Sequence, residues 1–198
     1  MATAERHALT SDLAGLVASL RAITVEVRTA ARGGGAGVIW APDGLVVTSA
    51  HVIVGAHDVP RDTEVILADR RRLGAALVGW DRTIDIALLR VQASDLPAAT
   101  AGDSSHLRPG ELVLAIGHPF GLAGAVVTGV VHAGPTGRSR AGPAWIQADL
   151  RLAPGHSGGP LANARGHVVG INAMIAGGLA LAVPSAAVQG FVARAIGQ

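Results

Sequence analysis

The sequence predicts an all-β protein made of two packed β units, with a short helix at each end. Three observations lead there. Short apolar runs recur along the chain, separated by glycine, proline and aspartate. A polar, turn-rich stretch divides those runs into two comparable sets. The 198 residues are 49% hydrophobic and 15% charged, with 27 glycines and 10 prolines, a balance that suits a buried core with many turns and argues against disorder. Aromatics are only 3%, so the core must rest on Val, Ile, Leu and Ala.

Taken in order, residues 1–22 read as an N-terminal segment. Thr10, Ser11 and Asp12 offer N-caps for a short amphipathic helix over about residues 12–21. Residues 23–100 read as a first β unit. Ile23 to Val27 alternates as a strand should, and Gly33-Gly34-Gly35 is expected to break it. Further runs are Gly37 to Trp40, Leu45 to Thr48, Glu64 to Leu67, Leu73 to Trp80 and Ile86 to Val91. Residues 101–110 (AGDSSHLRPG) read as a linker. Residues 111–184 form the second set, with runs Leu112 to Ile116, Val126 to His132, Val168 to Ala173 and Leu179 to Val183. Residues 185–198 close the chain, with Ser185 after Pro184 as the expected cap of a helix over about 186–196. Strands at this spacing fit a sandwich or a barrel, and no sequence repeat is evident.

Charge excludes some functions. The sequence pI is about 10.8, yet the net charge is only +2. The chain lacks Lys, Tyr and Cys, so almost nothing titrates between neutrality and the arginine range. Arg70-Arg71-Arg72 is the only arginine run and reads as a solvated hairpin tip, so no nucleic-acid partner is expected. Without cysteine there is no disulfide and no thiolate metal site, and no metal or cofactor is expected. Met1 to Asp12 lacks the order of a signal peptide, and Leu13 to Leu20 is too short to span a bilayer. Read as it stands, the chain is expected in the cytoplasm and off the membrane. If a leader has been removed, the expectation becomes periplasmic or extracellular.

The chemistry concentrates in three segments. In Pro154-Gly155-His156-Ser157-Gly158-Gly159-Pro160, a serine sits among glycines that permit a tight turn and a close carbonyl approach. The N–H groups of Gly155 and Ser157 can converge there as an oxyanion hole. The competing reading is a glycine-rich turn between strands. The nucleophile elbow of α/β-hydrolases is excluded by order, because it needs an acid after the serine and no Asp or Glu follows Gly158. His51 ends the apolar run from Leu45, and Asp85 lies inside the run Thr83 to Val91. Either could be purely structural, a buried histidine bonded to backbone or an aspartate capping a turn. A buried carboxylate needs a partner, however, and His51 Nδ1–H is a natural one. The order His51, Asp85, Ser157 is that of chymotrypsin-type triads. It puts base and acid in the first unit and nucleophile in the second.

The words around these residues resemble the HtrA (DegP-like) branch of the trypsin-like serine proteases. They are Gly35-Ala36-Gly37-Val38-Ile39, Val47-Thr48-Ser49-Ala50-His51-Val52, Asp85-Ile86-Ala87-Leu88-Leu89, Ala115-Ile116-Gly117-His118-Pro119-Phe120-Gly121, Gly155 to Leu161, and Val169-Gly170-Ile171-Asn172. They come in family order over about residues 13 to 196. The resemblance implies a chymotrypsin-like double six-stranded β-barrel with the cleft between barrels, and ATP-independent proteolysis of unfolded or damaged proteins. It also implies a mobile loop around Pro119-Phe120-Gly121 that helps set the oxyanion hole. His156 and His118 stand where the family usually, and often, carries Asn. His156 is expected to face solvent, and no activation by N-terminal cleavage is expected. Peptide capture by a PDZ domain is expected to be absent or cut away. The family's homotrimers pack through N-terminal aromatics, which are missing here before Trp40.

The resemblance further assigns the S1 pocket to Leu152, Ala173, Met174 and Ile175. These are apolar, so small or medium aliphatic P1 residues are expected, with Arg151 as a lesser case for acidic P1. The alternative is that these side chains fill the barrel core. The expected reaction is acyl transfer, Ser157 attacking, His51 as base then acid, and Asp85 fixing the tautomer. Activity is expected to fall below about pH 6–7 as the base protonates. Two rival readings are a latent or inactive protease fold acting as a chaperone or peptide-binding module, and a scaffold.

Overall fold

The computed structural model describes residues 2–29, 33–54, 62–135 and 144–197. Helix α1 (Ala2–Ile23) leads into strands β1 (Thr24–Thr29), β2 (Gly33–Ala41) and β3 (Leu45–Thr48), a one-turn helix α2 (Ala50–Ile53), and strands β4 (Thr63–Ile66), β5 (Arg72–Asp81) and β6 (Ile86–Val91). These six strands close an antiparallel barrel in the order β1-β2-β3-β6-β5-β4. Strands β7 (Leu112–Gly117), β8 (Ala125–Ala133), β9 (Ile146–Asp149), β10 (Pro160–Asn163), β11 (Val168–Ala176) and β12 (Leu179–Pro184) close a second barrel, and helix α3 (Ser185–Ile196) ends the chain. The second barrel's order, β10-β11-β12-β9-β8-β7, read backwards repeats that of the first. The structure is thus repeated although the sequence is not.

Three apolar clusters explain which strands alternate. Val25, Val27, Ile39, Val46 and Leu89 fill the first barrel, and Val113, Ala115, Val131, Leu161 and Val169 the second. A third cluster lies between the barrels: Val38, Val47, Ile86 and Leu88 meet Leu114, Ile116, Ile171 and Val183, with Leu20 of α1 and Phe191 of α3. Strands β3 and β6 therefore bury both faces and read as continuous apolar runs. Strand β5, whose outer face meets solvent, alternates throughout. Each buried Leu or Ile contributes roughly 1.5–3 kcal/mol, against about 0.5–1.5 kcal/mol for a hydrogen bond. Apolar burial therefore joins the barrels, and polar contacts set their register.

Several sequence expectations need correction. Helix α1 starts at Ala2, not near residue 12, because Ala, Glu, Arg and Leu before Thr10 are good helix formers. Gly33-Gly34-Gly35 does not break a strand: the three pair with Thr29, Arg28 and Val27. Glycine is needed there for close approach, since a Cβ on Gly35 would lie 2.8 Å from the Ser157 carbonyl oxygen. Strands β9 and β10 were not anticipated, β10 because its first residue is Pro160 in a turn-like motif. Ser185 is the first helical residue rather than the cap, and donates to Gly102 O. Ser104 Oγ instead accepts from Ala186 N and satisfies one of the helix's open N–H groups. The expected linker is docked accordingly, with Ser104 and Leu107 buried and Ala101 bridging to Val168. Arg71 pairs with Asp69, and Arg72 with Glu64, at the exposed tip of the β4–β5 hairpin.

Candidate active site

Asp85 sits in the turn before β6 rather than inside a strand. Asp81 shapes that turn by accepting from Thr83 N (2.8 Å). Asp85 has φ 56°, a conformation that Asp and Asn tolerate better than most residues. Its carboxylate is nearly buried and fully used. Oδ1 accepts the backbone N–H of His51 at 3.0 Å, and Oδ2 lies 2.7 Å from His51 Nδ1. The Asp85 carbonyl accepts from Ala50 N (3.1 Å). One residue thus holds α2, the His51 main chain and the ring. With Nδ1–H committed to the carboxylate, Nε2 of neutral His51 is left as the free base.

Ser157 lies on the loop before β10, in the other barrel. Gly155 and Gly158 have φ of 105° and 85°, which a side-chain-bearing residue adopts only under strain. The turn is tied to the first barrel by Ala36 N, which donates to Ser157 O (2.8 Å); Thr48 Oγ1 holds Ala36 O (2.6 Å) within that barrel, and Ser49 Oγ donates across the junction to Asn172 O (3.1 Å) on β11. A Cβ on Gly158 would collide with Ala36 O and Thr48 Oγ1. Among the described residues, the N–H groups of Gly155 and Ser157 have no partner. Ser157 Oγ donates to Ala173 O at 2.9 Å, and no hydrogen bond joins it to His51.

His51 and Ser157 line one cavity of about 360 Å³, together with Leu152, Ala153, Pro154, Ala173, Met174 and Ile175. Of the eight site residues singled out by sequence, all but Asp85 and Gly155 line it, and Asp85 reaches it through His51. Ala153 and Pro154 were missed, since nothing in an apolar dipeptide marks it as lining. A bulge between Asn172 and Met174 interrupts β11 beside the cavity, where Met174 and Ile175 are exposed. Arg151 lines a separate groove with Val127, Thr128, Val130 and Asp149. Among the described residues no carboxylate lines the cleft.

His156 does not face solvent. It is 2% exposed, and its ring packs against Gly117, where an added Cβ would lie 3.1 Å from Cδ2. Its Nδ1 lies 3.1 Å from Ala153 O, and its Nε2, like that of His118, is buried without a hydrogen-bond partner among the described residues. Burial pushes both imidazoles below the ordinary histidine value. The Ala153 carbonyl opposes this at His156. At His118 Glu26 and the Val25 backbone oppose it, while His156 and Arg28 add to it. Both rings thus bind protons more weakly folded than unfolded. As pH drops below about 6.5, the unfolded chain takes up protons first, so their contribution is complete above that pH and is lost beneath it. The melting temperature of a Ser157→Ala protein, which cannot digest itself, is expected to fall between about pH 7 and 5. The slope is expected to be shallower with His118→Asn and His156→Asn combined. Equal slopes would contradict the assignment.

Paired six-stranded barrels of this topology are the chymotrypsin-like fold, and the site at their junction carries the side-chain types of a serine peptidase. Residues 35–171 match the trypsin-like peptidase domain, and the chain belongs to that family. It is similar to a probable periplasmic serine endoprotease described as DegP-like from Marinomonas sp. (strain MWYL1), 49% identical over 144 residues, 71% of this chain and 29% of that protein. A putative serine protease HhoB from Synechocystis sp. is 40% identical over 161 residues, 77% of this chain and 38% of that protein. The chain therefore spans well under half the length of these relatives. Among solved structures, the serine endoprotease from Yersinia pestis superposes with a TM-score of 0.80 at 32% identity, covering 91% of this chain and 65% of that one. The HtrA-type protease AlgW with decapeptide gives 0.82 at 28% identity, covering 93% and 67%. Among the described residues no helix is long and apolar enough to cross a membrane.

Proposed function

We propose that this chain is a serine endopeptidase of the HtrA type that hydrolyses unfolded or damaged proteins through Ser157, His51 and Asp85. The observation that carries the reading is the Asp85–His51 pair opening onto the same cavity as a glycine-flanked serine. Ser157 Oγ attacks the scissile carbonyl carbon while His51 Nε2 takes its proton. The oxyanion receives the free N–H groups of Gly155 and Ser157, an arrangement worth about 2.7–4 kcal/mol per donor in such sites. The C–N bond then breaks, and His51 protonates the departing amine. Water, deprotonated by His51, cleaves the ester and restores Ser157. Asp85, through its contact with Nδ1, orients the ring and stabilises the imidazolium whenever it forms. The resting contact of Ser157 Oγ with Ala173 O does not block this sequence. The hydroxyl must leave Ala173 O to reach His51, which lines the same cavity, and the oxyanion donors make no other hydrogen bond among the described residues.

Substrate class follows from the cleft. Leu152, Ala173, Met174 and Ile175 form an apolar S1 wall, so an aliphatic P1 side chain is buried without a charged partner. Folded proteins bury most such side chains, which makes unfolded chains the richer source. The name of the DegP-like relative places that protein in the periplasm, and that supports the same compartment for this chain. In a P1-randomised peptide library, Val, Ala and Leu are expected to exceed Lys and Arg by at least about 100-fold in kcat/KM, because a P1 cation would be desolvated unpaired. Efficient cleavage after Lys or Arg would refute the pocket assignment. Reduced, unfolded proteins are expected to be degraded and their folded forms spared.

A further inference from the structure

Helix α1 lies outside both barrels, yet a continuous chain of hydrogen bonds runs from it to the turn beside Ser157. Arg21 Nε, in its last turn, donates to Gly124 O at 2.6 Å. The same glycine donates its N–H to His118 Nδ1 at 3.3 Å. The backbone N–H of His118 donates to Gly155 O at 2.9 Å. These contacts leave little slack. Gly124 has φ 64°, and a Cβ there would lie 3.1 Å from the Arg21 side chain. A Cβ on Gly155 would lie 2.6 Å from His118 O, and one on Gly117 2.6 Å from Gly155 O.

The consequence concerns the peptide between Gly155 and His156. Its carbonyl is held by His118 N, and its N–H is held by Ala153 O at 3.0 Å. The two free N–H groups that flank it, those of Gly155 and Ser157, are therefore aimed by this anchored unit. A transition-state donor is effective only where it is already aimed. His118 can accept from Gly124 only as a neutral ring, and its burial keeps it so. Nothing else in the catalytic reading uses this ring or Arg21.

Building on the peptidase reading, we propose that Arg21 and His118 are positioning residues, which fix the oxyanion turn to helix α1 through the path Arg21–Gly124–His118–Gly155. What happens to α1 is then felt as a change in turnover rather than in substrate binding.

The test uses the full chain with Arg21→Ala, Arg21→Lys, His118→Ala and His118→Asn, the concentration of active sites being counted with a fluorophosphonate. Arg21 is exposed, so its alanine variant is expected to fold. Arg21→Ala is expected to lower kcat about 10-fold and His118→Ala up to about 100-fold, with KM within about twofold of wild type. Arg21→Lys keeps a donor and His118→Asn an acceptor, and both are expected to recover most of the loss. Amide resonances of Gly155 and Ser157 in 15N-labelled protein are followed alongside, and are expected to shift in Arg21→Ala. They report the turn whether or not the chain hydrolyses peptides, so shifted amides in an inactive wild type would support the coupling and sink the peptidase reading alone. Unmoved amides with unchanged kcat, or a lowered melting temperature with unchanged kcat per active site, would overturn the proposal.

Discussion

Replacing Ser157 with alanine is expected to lower kcat for peptide hydrolysis by roughly 10⁵–10⁶-fold, with KM and fold nearly unchanged. The argument rests on how little else the hydroxyl does. Its one hydrogen bond among the described residues, to Ala173 O, is worth about 1 kcal/mol. The turn itself is held by backbone contacts that alanine keeps, from Ala36 N to Ser157 O and from Gly158 N to Asn172 O. The loss therefore falls on chemistry. Some rate above that of water is expected to remain, because the oxyanion donors and the cleft survive. Steady-state kinetics beside circular dichroism checks both halves, and a Ser157→Ala protein that still turns over at even 1% of wild type would contradict the assignment.

Asp85→Asn is expected to cost about 10⁴-fold in kcat while sparing the backbone. Asparagine tolerates the φ of 56° and preserves the side chain's shape. It cannot preserve both hydrogen bonds. If its oxygen accepts His51 N–H, as Oδ1 now does, its NH₂ faces His51 Nδ1. The ring must then hold its proton on Nε2, and the free base disappears. Asp85→Ala is expected to lose stability as well, since His51 N–H loses its acceptor and alanine is strained at that φ. Comparing kcat and melting temperature across the two variants separates tautomer from strain. Equal activity in Asp85→Asn and wild type would remove Asp85 from the mechanism.

The two β units and the cluster of side chains were legible for physical reasons. Turn formers mark strand ends wherever strands are short, and β3 and β6 were delimited residue for residue. His51, Asp85 and Ser157 each sit in a segment whose chemistry is odd for its surroundings: a carboxylate among Ile and Leu, a serine among glycines. What stayed hidden depended on distant partners. Gly33-Gly34-Gly35 looked like a break because the demand for a small residue at Gly35 comes in part from Ser157, far away in sequence. His156 looked like a solvated turn residue because its burial comes from Gly117. The placement of Asp85 in a turn with positive φ, and the resting contact of Ser157 with Ala173, are likewise set by tertiary packing. Arg21 carries no local signal at all, and its link to His118 exists only once α1 meets the β7–β8 loop.

The central claim is that Ser157 is a nucleophile activated by His51. Incubating the folded protein at neutral pH with a fluorophosphonate, then mapping the adduct by mass spectrometry, addresses it directly. The account predicts one phosphonylated serine, Ser157, with labelling abolished in Ser157→Ala and His51→Ala. Folded wild-type protein that takes up no label, or that carries it on another residue with Ser157 untouched, would contradict it.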